Sequence, residues 1–438
     1  MKILHNFERF YVVAVMIFLS GAGVAGRVGA GGTAPAPQLW QNYGRLLVCA
    51  TLAPLLLLHF RQVMEGVRHS GWLIALCGLA GASCLWAHDP RFVVRHAIFV
   101  CVVTMFGIYI ATCFEWEEQL NLFGWTMVLV VVSSAIVAAF IPSYGLSHDL
   151  HTGAVKGIYP QKNHFGAMMS FSIITFLFAR PKGVPNILKI ATVIGSAVLL
   201  ILASSATAIV ALVGCLAFYP LWLLFKSSKT NNFLLWVAAL PVVGIGLVLA
   251  TANFDIVAKL AGRSATLSDR IPLWNGILGA IAKRPWFGYG FDIFWLEWSQ
   301  DLYKIVYVMT GWHPPHAHNG YLDIVLSMGI VGLVVFMVGF IINVWRAGKL
   351  SKVSGVYAAN WPFFVLLFFR HRESRGKLYP ALDVVLLDSV RRHLCFFSPP
   401  ARTGADGRIF GRSRRDDCYG RRRTRERRAS GLQHLKAD

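Results

Sequence analysis

Apolar residues in this chain come in long unbroken runs, not in alternation, and the runs recur from the first residues to about position 369. The purest stretches cover residues 11–25, 46–60, 71–86, 97–112, 123–141, 165–179, 187–203, 206–225, 233–252, 321–345 and 356–369. A helix of about 20 apolar residues crosses roughly 30 Å of hydrocarbon, and lipid accepts only helices or closed barrels. Unbroken runs exclude the alternating pattern of a barrel strand. The pattern therefore predicts an all-α, polytopic membrane protein with about eleven transmembrane helices. Several runs are nearer 15 than 20 residues in their purest part, so their ends are loosely defined.

The polar segments between the runs set the topology. Lys2 and Arg9, Arg61 and Arg68, Arg180, Lys182 and Lys189, Lys226 and Lys229, and Arg346, Lys349 and Lys352 all fall on one side of an eleven-span layout. The positive-inside rule makes that side the cytoplasm. The opposite side receives residues 87–96, 142–164, the Ser204–Ser205 corner and a long excursion from 253 to about 319. The layout is then spans 1–9 in residues 1–252, one large external loop with short helices in 253–318, and spans 10–11 in 319–369. Lys2 and Arg9 ahead of a first apolar run resemble a signal peptide, but ten further runs favour an uncleaved first helix.

Composition agrees. Over 438 residues, 56% are apolar, 14% are charged and the mean hydropathy is +0.55. Soluble domains carry nearer a quarter charged residues. Most of the eight cysteines sit inside apolar runs without CxxC spacing, so neither a disulfide framework nor a zinc site is expected.

The character changes after Phe369. Residues 370–438 hold 18 Lys and Arg against 8 Asp and Glu, a net charge of +10, with no apolar periodicity. The eleventh helix would deliver this tail to the extracytoplasmic side, where such charge is disfavoured, and the apolar run stops without a cap or turn. A shifted reading frame that replaces a final span is the reading we favour. A disordered basic tail is the alternative, and nucleic-acid binding is not expected.

Ionisable residues are nearly absent from span interiors and gather at the extracytoplasmic ends. Carriers usually keep charge at mid-membrane, so the distribution suits chemistry at the membrane surface. Four features stand out: Trp86–Ala87–His88–Asp89–Pro90 followed by Arg91 and Arg95; GIYPQKNHFG at 157–166; GRSATLSDRIPLWNGILGAIAKRPWFGYG at 262–290; and HAHNGYLDIVLSMGIVG at 316–332. In the third, Ser268–Asp269 can cap a short helix carrying Trp274, Ile277, Leu278 and Ile281 on one face. Arginines and a lysine beside a helix N-terminus make a phosphate site, and a nearby histidine can take a proton from a hydroxyl. Arg91, Arg95 and Lys162 also suit simple anchoring in the headgroup layer, Asn319 a helix cap, and the glycines ordinary turns. His313, His316 and His318 make a weak metal pattern, and no metal site is expected.

These motifs, in this order, resemble the O-antigen ligase and exopolysaccharide polymerase family across most of residues 70–365, with GIYPQKNHFG closest to the branch containing the succinoglycan polymerase. Ser264 departs from the acidic residue common after Gly-Arg in that branch. The region after Phe369 departs from the family's usual last helix. The resemblance implies about a dozen helices with one large periplasmic loop in a bacterial inner membrane. It implies glycosyl transfer from a polyprenyl-diphosphate-linked oligosaccharide to a sugar hydroxyl, without metal or other cofactor. On that reading His318 is the general base and Arg270 acts with it in catalysis. Arg95, Lys162 and Arg263 hold the diphosphate with Arg270, and Asn163 and Asn319 orient the substrate. Expected partners are lipid-linked donor and acceptor, membrane lipids, a chain-length regulator and export proteins. The alternatives are a ligase with a lipid A-core or protein acceptor and, from another class, a flippase or transporter.

Overall fold

The computed structural model describes residues 2–22, 39–147, 153–227, 270–295, 316–317, 319–353 and 361, all within one compact unit, Met1–Phe397. Among these the chain is helical: α1 (Lys2–Leu19), α2 (Leu39–Leu58), α3 (Phe60–His69), α4 (Gly71–Ala82), α5 (Pro90–Cys113), α6 (Trp116–Phe140), the short α7 (Pro142–Gly145), α8 (Lys162–Ile174), α9 (Asn186–Leu202), α10 (Ala206–Ser227), α11 (Arg270–Lys283) and α12 (Gly320–Val353). Nine of the eleven apolar runs coincide with one of these helices. The run at 233–252 lies outside the described residues, as does the one at 356–369 apart from Trp361.

By length and apolarity, three described helices can cross a membrane: Pro90–Cys113, Trp116–Phe140 and Gly320–Lys349. The bent pair Tyr43–Leu58 and Phe60–His69, turned through 99°, makes a fourth only if the two are counted as one span. Others are shorter for local reasons. The first run becomes a helix whose opening turns carry Lys2, His5, Glu8 and Arg9. The sixth gives way to a π-turn, Thr175–Ala179, closed by Arg180 at φ 47°. The Arg61–Arg68 segment, read from sequence as a loop, is the helix α3. It buries Val63 and Gly66 and turns its charges outward, the pattern of a helix lying in the membrane surface.

Contacts at the helix ends sort the chain into two poles. At one, Arg9 pairs with Glu118, His5 meets Glu118 at 2.9 Å, and Glu8 meets His59 at 2.9 Å. Lys182 pairs with Glu117 there, and Gly183 N–H donates to Asn121 at 2.7 Å. These segments all belong to the side that the positive charges assign to the cytoplasm. Trp361 is fully buried near the same pole, with its ring against Trp116, Phe123 and Phe171 and its indole N–H on Thr175 Oγ1 at 3.3 Å. Trp361 is thus part of the packed core. At the other pole a smaller apolar core joins the start of α5 to α11, the 289–294 segment and the start of α12.

Candidate functional site

The second pole is organised by a loop that fits into a broken helix. α11 presents Leu273, Ile277 and Ala280 fully to the core, with Trp274 and Ile281 at its edge. Leu278, expected on that face, is 54% exposed. At 100° per residue it lies about 130° from the centre of the 273–277–280 stripe, so it faces away from the core. After Arg284 the residues 285–290, PWFGYG, run against α12, whose helix is interrupted at Gly329 (φ 69°, ψ −170°). The interruption frees backbone groups on both sides, and the loop satisfies them. Tyr289 N–H donates to Leu326 O at 2.8 Å and Gly290 N–H to Ser327 O at 3.0 Å. In return Ile330 N–H donates to Pro285 O at 2.8 Å and Val331 N–H to Trp286 O at 3.3 Å. At membrane depth non-helical backbone survives only when its polar groups find such partners.

Neighbouring elements tie the loop down. Trp86 donates its indole N–H to Phe287 O at 3.1 Å, Phe291 N–H donates to Ser83 Oγ at 2.9 Å, and the Tyr289 hydroxyl donates to Ala280 O at 2.7 Å. Burial raises the Tyr289 phenol above its ordinary value, opposed in part by the Arg284 guanidinium 5.1 Å from the ring centre. The phenol therefore stays a neutral donor at any physiological pH.

The first turn of α12 fixes the chain on both sides of position 318. Asn319 caps the helix, its Oδ1 accepting from Tyr321 N–H at 3.0 Å. Asp323 Oδ1 accepts from Ala317 N–H at 3.0 Å and from the Trp295 indole at 2.9 Å, while Ala317 O accepts from the Trp274 indole at 3.0 Å. Ala317 is thereby held by α11, the 291–295 turn and α12 together. His318 itself lies outside the described residues.

A charged group sits beside this anchor. Asp292 adopts a left-handed backbone conformation (φ 60°), and its Oδ2 lies 3.8 Å from His96 Nε2. The other ring nitrogen of His96 faces Phe92 O at 2.9 Å. Asp292 is also within electrostatic reach of Arg45 on α2 and of Asp323. Sequence reading did not single out His96, Asp292, Asp323 or Arg45. The available signals were faint: His96 follows Arg95, Asp292 follows a Gly-Tyr-Gly turn, and Asp323 lies one helical turn beyond Asn319.

GIYPQKNHFG forms its own node. Gly157 (φ 56°) turns the chain where a side chain would strike Ser134, and Gly166 lies against Ser205, where an added Cβ would approach to 2.6 Å. Tyr159 is buried with its hydroxyl 2.9 Å from Ser20 Oγ, and His164 packs against the Tyr159 ring and Gly21. Asn163 Oδ1 accepts from Ser205 Oγ at 3.2 Å, and Lys162 is buried in the first turn of α8. A buried ammonium there adds to the positive end of the helix dipole, an arrangement that suits an anion.

Comparison with known proteins supplies the context for these motifs. Residues 190–337, which hold α9 to the break in α12, match the O-antigen ligase family. Over this stretch the chain is similar to that family. It is 24% identical over 307 residues to the exopolysaccharide production protein ExoQ of Rhizobium meliloti (strain 1021), covering 64% of this chain and 66% of that protein. It is 27% identical over 108 residues to a Rickettsia conorii protein named as a candidate polysaccharide ligase, covering 22% of this chain and 26% of the relative, and equally so to a counterpart in Rickettsia felis. The chain thus spans just under two thirds of ExoQ and about a quarter of the others.

The O-antigen ligase match contains Arg263, Arg270, His318 and Asn319, together with Asp292 and Asp323. Arg95, Lys162 and Asn163 precede it. Arg263 and His318 lie outside the described residues, and Arg270 is described only as the first residue of α11. Arg95 is exposed on the second turn of α5, beside a hollow of about 660 Å³ shared with Asp89, Arg91 and Val94. Arg95 and Asn319 therefore belong to segments packed on the loop core, whereas Lys162 and Asn163 lead into the larger core through Phe165. Asn319 is engaged as a cap, and Asn163 in bracing α8 against the Ser205 corner.

Proposed function

We propose that this chain is a membrane glycan polymerase, joining polyprenyl-diphosphate-linked oligosaccharide repeats into exopolysaccharide at the periplasmic face of a bacterial inner membrane. Residues 253–318 form the external loop in this reading, between spans 1–9 and spans 10–11. One observation carries it: the stretch matching the O-antigen ligase family contains both the loop and the broken helix that receives it, in a chain that also resembles ExoQ.

The chemistry follows from residue types. The bond between the donor sugar's anomeric carbon and the diphosphate oxygen breaks as the acceptor hydroxyl attacks that carbon. His318 takes the hydroxyl proton, a contribution typically worth about 10²–10⁴ in rate. Arg95, Lys162, Arg263 and Arg270 neutralise the charge that develops on the departing diphosphate. Asn163 and Asn319 orient the sugar and the base. The His96–Asp292 pair and the Asp323 bonds hold the loop against α5 and the start of α12.

A ligase reading is favoured by the family's description and by the names of the rickettsial relatives. It shares the donor and differs in the acceptor. A strain lacking this gene decides between them. A polymerase mutant accumulates carrier bearing a single repeat, whereas a ligase mutant accumulates carrier bearing long polymer. A third outcome, repeats retained on the cytoplasmic face, would identify a flippase and overturn both readings.

A further inference from the structure

An apolar groove of about 340 Å³ opens between α2 and α5, lined on one wall by Cys49, Ala53 and Leu56 and on the other by Val94, Ile98 and Cys101. The two helices run in the same direction, since Arg45 lies over the Phe99 ring at 4.8 Å near one end and Cys113 reaches Gln62, just past α2, near the other. Positions three or four apart share a helix face. On α5 that face reads Arg91, Arg95, Ile98, Cys101 and Met105; on α2 it reads Arg45, Cys49, Ala53 and Leu56. Both walls are thus basic at the same end and apolar for the next two to three turns. Val94 lines the apolar groove and also the wider hollow that holds Arg91 and Arg95, so the two are continuous.

We infer that this groove seats the first isoprene units of a polyprenyl diphosphate, with the diphosphate held at the Arg45, Arg91 and Arg95 end. The inference rests on the glycan-transfer reading above and adds where the lipid part of the substrate lies. Charge selects the occupant. Arg91 and Arg95 at the mouth, with Arg45 over the neighbouring Phe99 ring, match the two linked phosphates of a polyprenyl diphosphate better than the single phosphate of phosphatidylglycerol. The volume falls in the range of ordinary ligand pockets and suits the start of the chain, the remainder lying in lipid. The same end of α5 carries His96, whose partner Asp292 belongs to the inserted loop. A diphosphate seated there would place its sugar against the 285–295 segment.

The test uses full-length protein in nanodiscs with a polyprenyl diphosphate carrying a diazirine near the diphosphate. Photolabel is expected on peptides from α2 and α5. Unlabelled polyprenyl diphosphate should compete it away, and excess phosphatidylglycerol should not. Ala53→Trp and Ile98→Trp fill opposite walls, and each should lower labelling at least tenfold, while Ile98→Val leaves it within twofold. Two single variants on different helices guard against one that fails to fold, and each is checked by its elution in detergent. Label on other helices only, competition by phosphatidylglycerol equal to that by the carrier, or unchanged labelling in both folded tryptophan variants would overturn the groove. Those results leave glycan transfer itself standing, because polymer made by the same variants in cells reads it separately.

Discussion

Gly329→Ala is the sharpest structural perturbation available. A Cβ built at Gly329 would lie 2.0 Å from Trp286 O, 2.2 Å from Trp286 C and 2.4 Å from Phe287 N, all backbone atoms of the inserted loop. Real Cβ contacts stay above 3.0 Å, so the loop must withdraw. The backbone conformation (φ 69°, ψ −170°) is also one that glycine alone adopts readily, and imposing it on alanine costs about 1–3 kcal/mol. Withdrawal breaks the four hydrogen bonds that Leu326, Ser327, Ile330 and Val331 make with the loop, each worth about 1 kcal/mol net. If the helix keeps its break, the total is about 5 kcal/mol or more, over three powers of ten in the equilibrium for local opening. Hydrogen–deuterium exchange in detergent reads this directly at the amides of Tyr289, Gly290, Ile330 and Val331, which should lose protection by at least a hundredfold. Glycan polymer made in cells should fall with it. Gly279→Ala is the control. It sits in the middle of α11 with nothing within 4 Å of an added Cβ, and it should leave exchange unchanged or stabilise α11 by up to about 1 kcal/mol. Wild-type protection in Gly329→Ala would refute the inserted-loop geometry.

Four further outcomes follow from the same contacts. Asp323→Ala removes the acceptor that holds Ala317 and Trp295; it should increase exchange at residues 316–320 and reduce polymer at least tenfold while the protein still inserts, and Asp323→Asn should recover part of both. Trp361→Ala empties a fully buried ring site and should cost about 3–5 kcal/mol, seen as a marked drop in melting temperature in detergent; an unchanged melt would show that the chain near 361 does not pack on Trp116, Phe123 and Phe171. Lys182→Ala breaks an exposed pair with Glu117 and should shift stability by less than about 1 kcal/mol, with polymer unaffected. His318→Ala should abolish polymer with insertion and expression retained, and normal polymer from a well-expressed variant would remove His318 as the base.

Hydropathy exposed most of the helices because each run had to bury or embed its own apolar surface, a property of neighbouring residues. The Asn319 cap was legible for the same reason, since it depends on residues two to four positions away. What stayed hidden depends on partners far along the chain. Glycine is common in membrane helices, so nothing local marks Gly329 as a break. Its conformation is dictated by Trp286 and Phe287, more than forty positions earlier. Arg45 passed unnoticed because its neighbours, Phe99 and Asp292, belong to other elements. Leu278 was misplaced because it is as apolar as its neighbours yet lies about 130° of helical phase from the buried stripe, which apolarity alone does not resolve. The proposed diphosphate set rests on residue types alone, since Arg263 and His318 lie outside the described residues.

The central claim is that this chain forms glycosidic bonds between lipid-linked repeats. Purified protein in liposomes, supplied with a polyprenyl-diphosphate-linked repeat, tests it most directly through the length of glycan left on the carrier and the free polyprenyl diphosphate released. The account predicts a ladder of two, three and more repeats, with one carrier diphosphate freed per bond formed and both signals lost in His318→Ala. Movement of the repeat across the bilayer with its length unchanged and no diphosphate freed would contradict it.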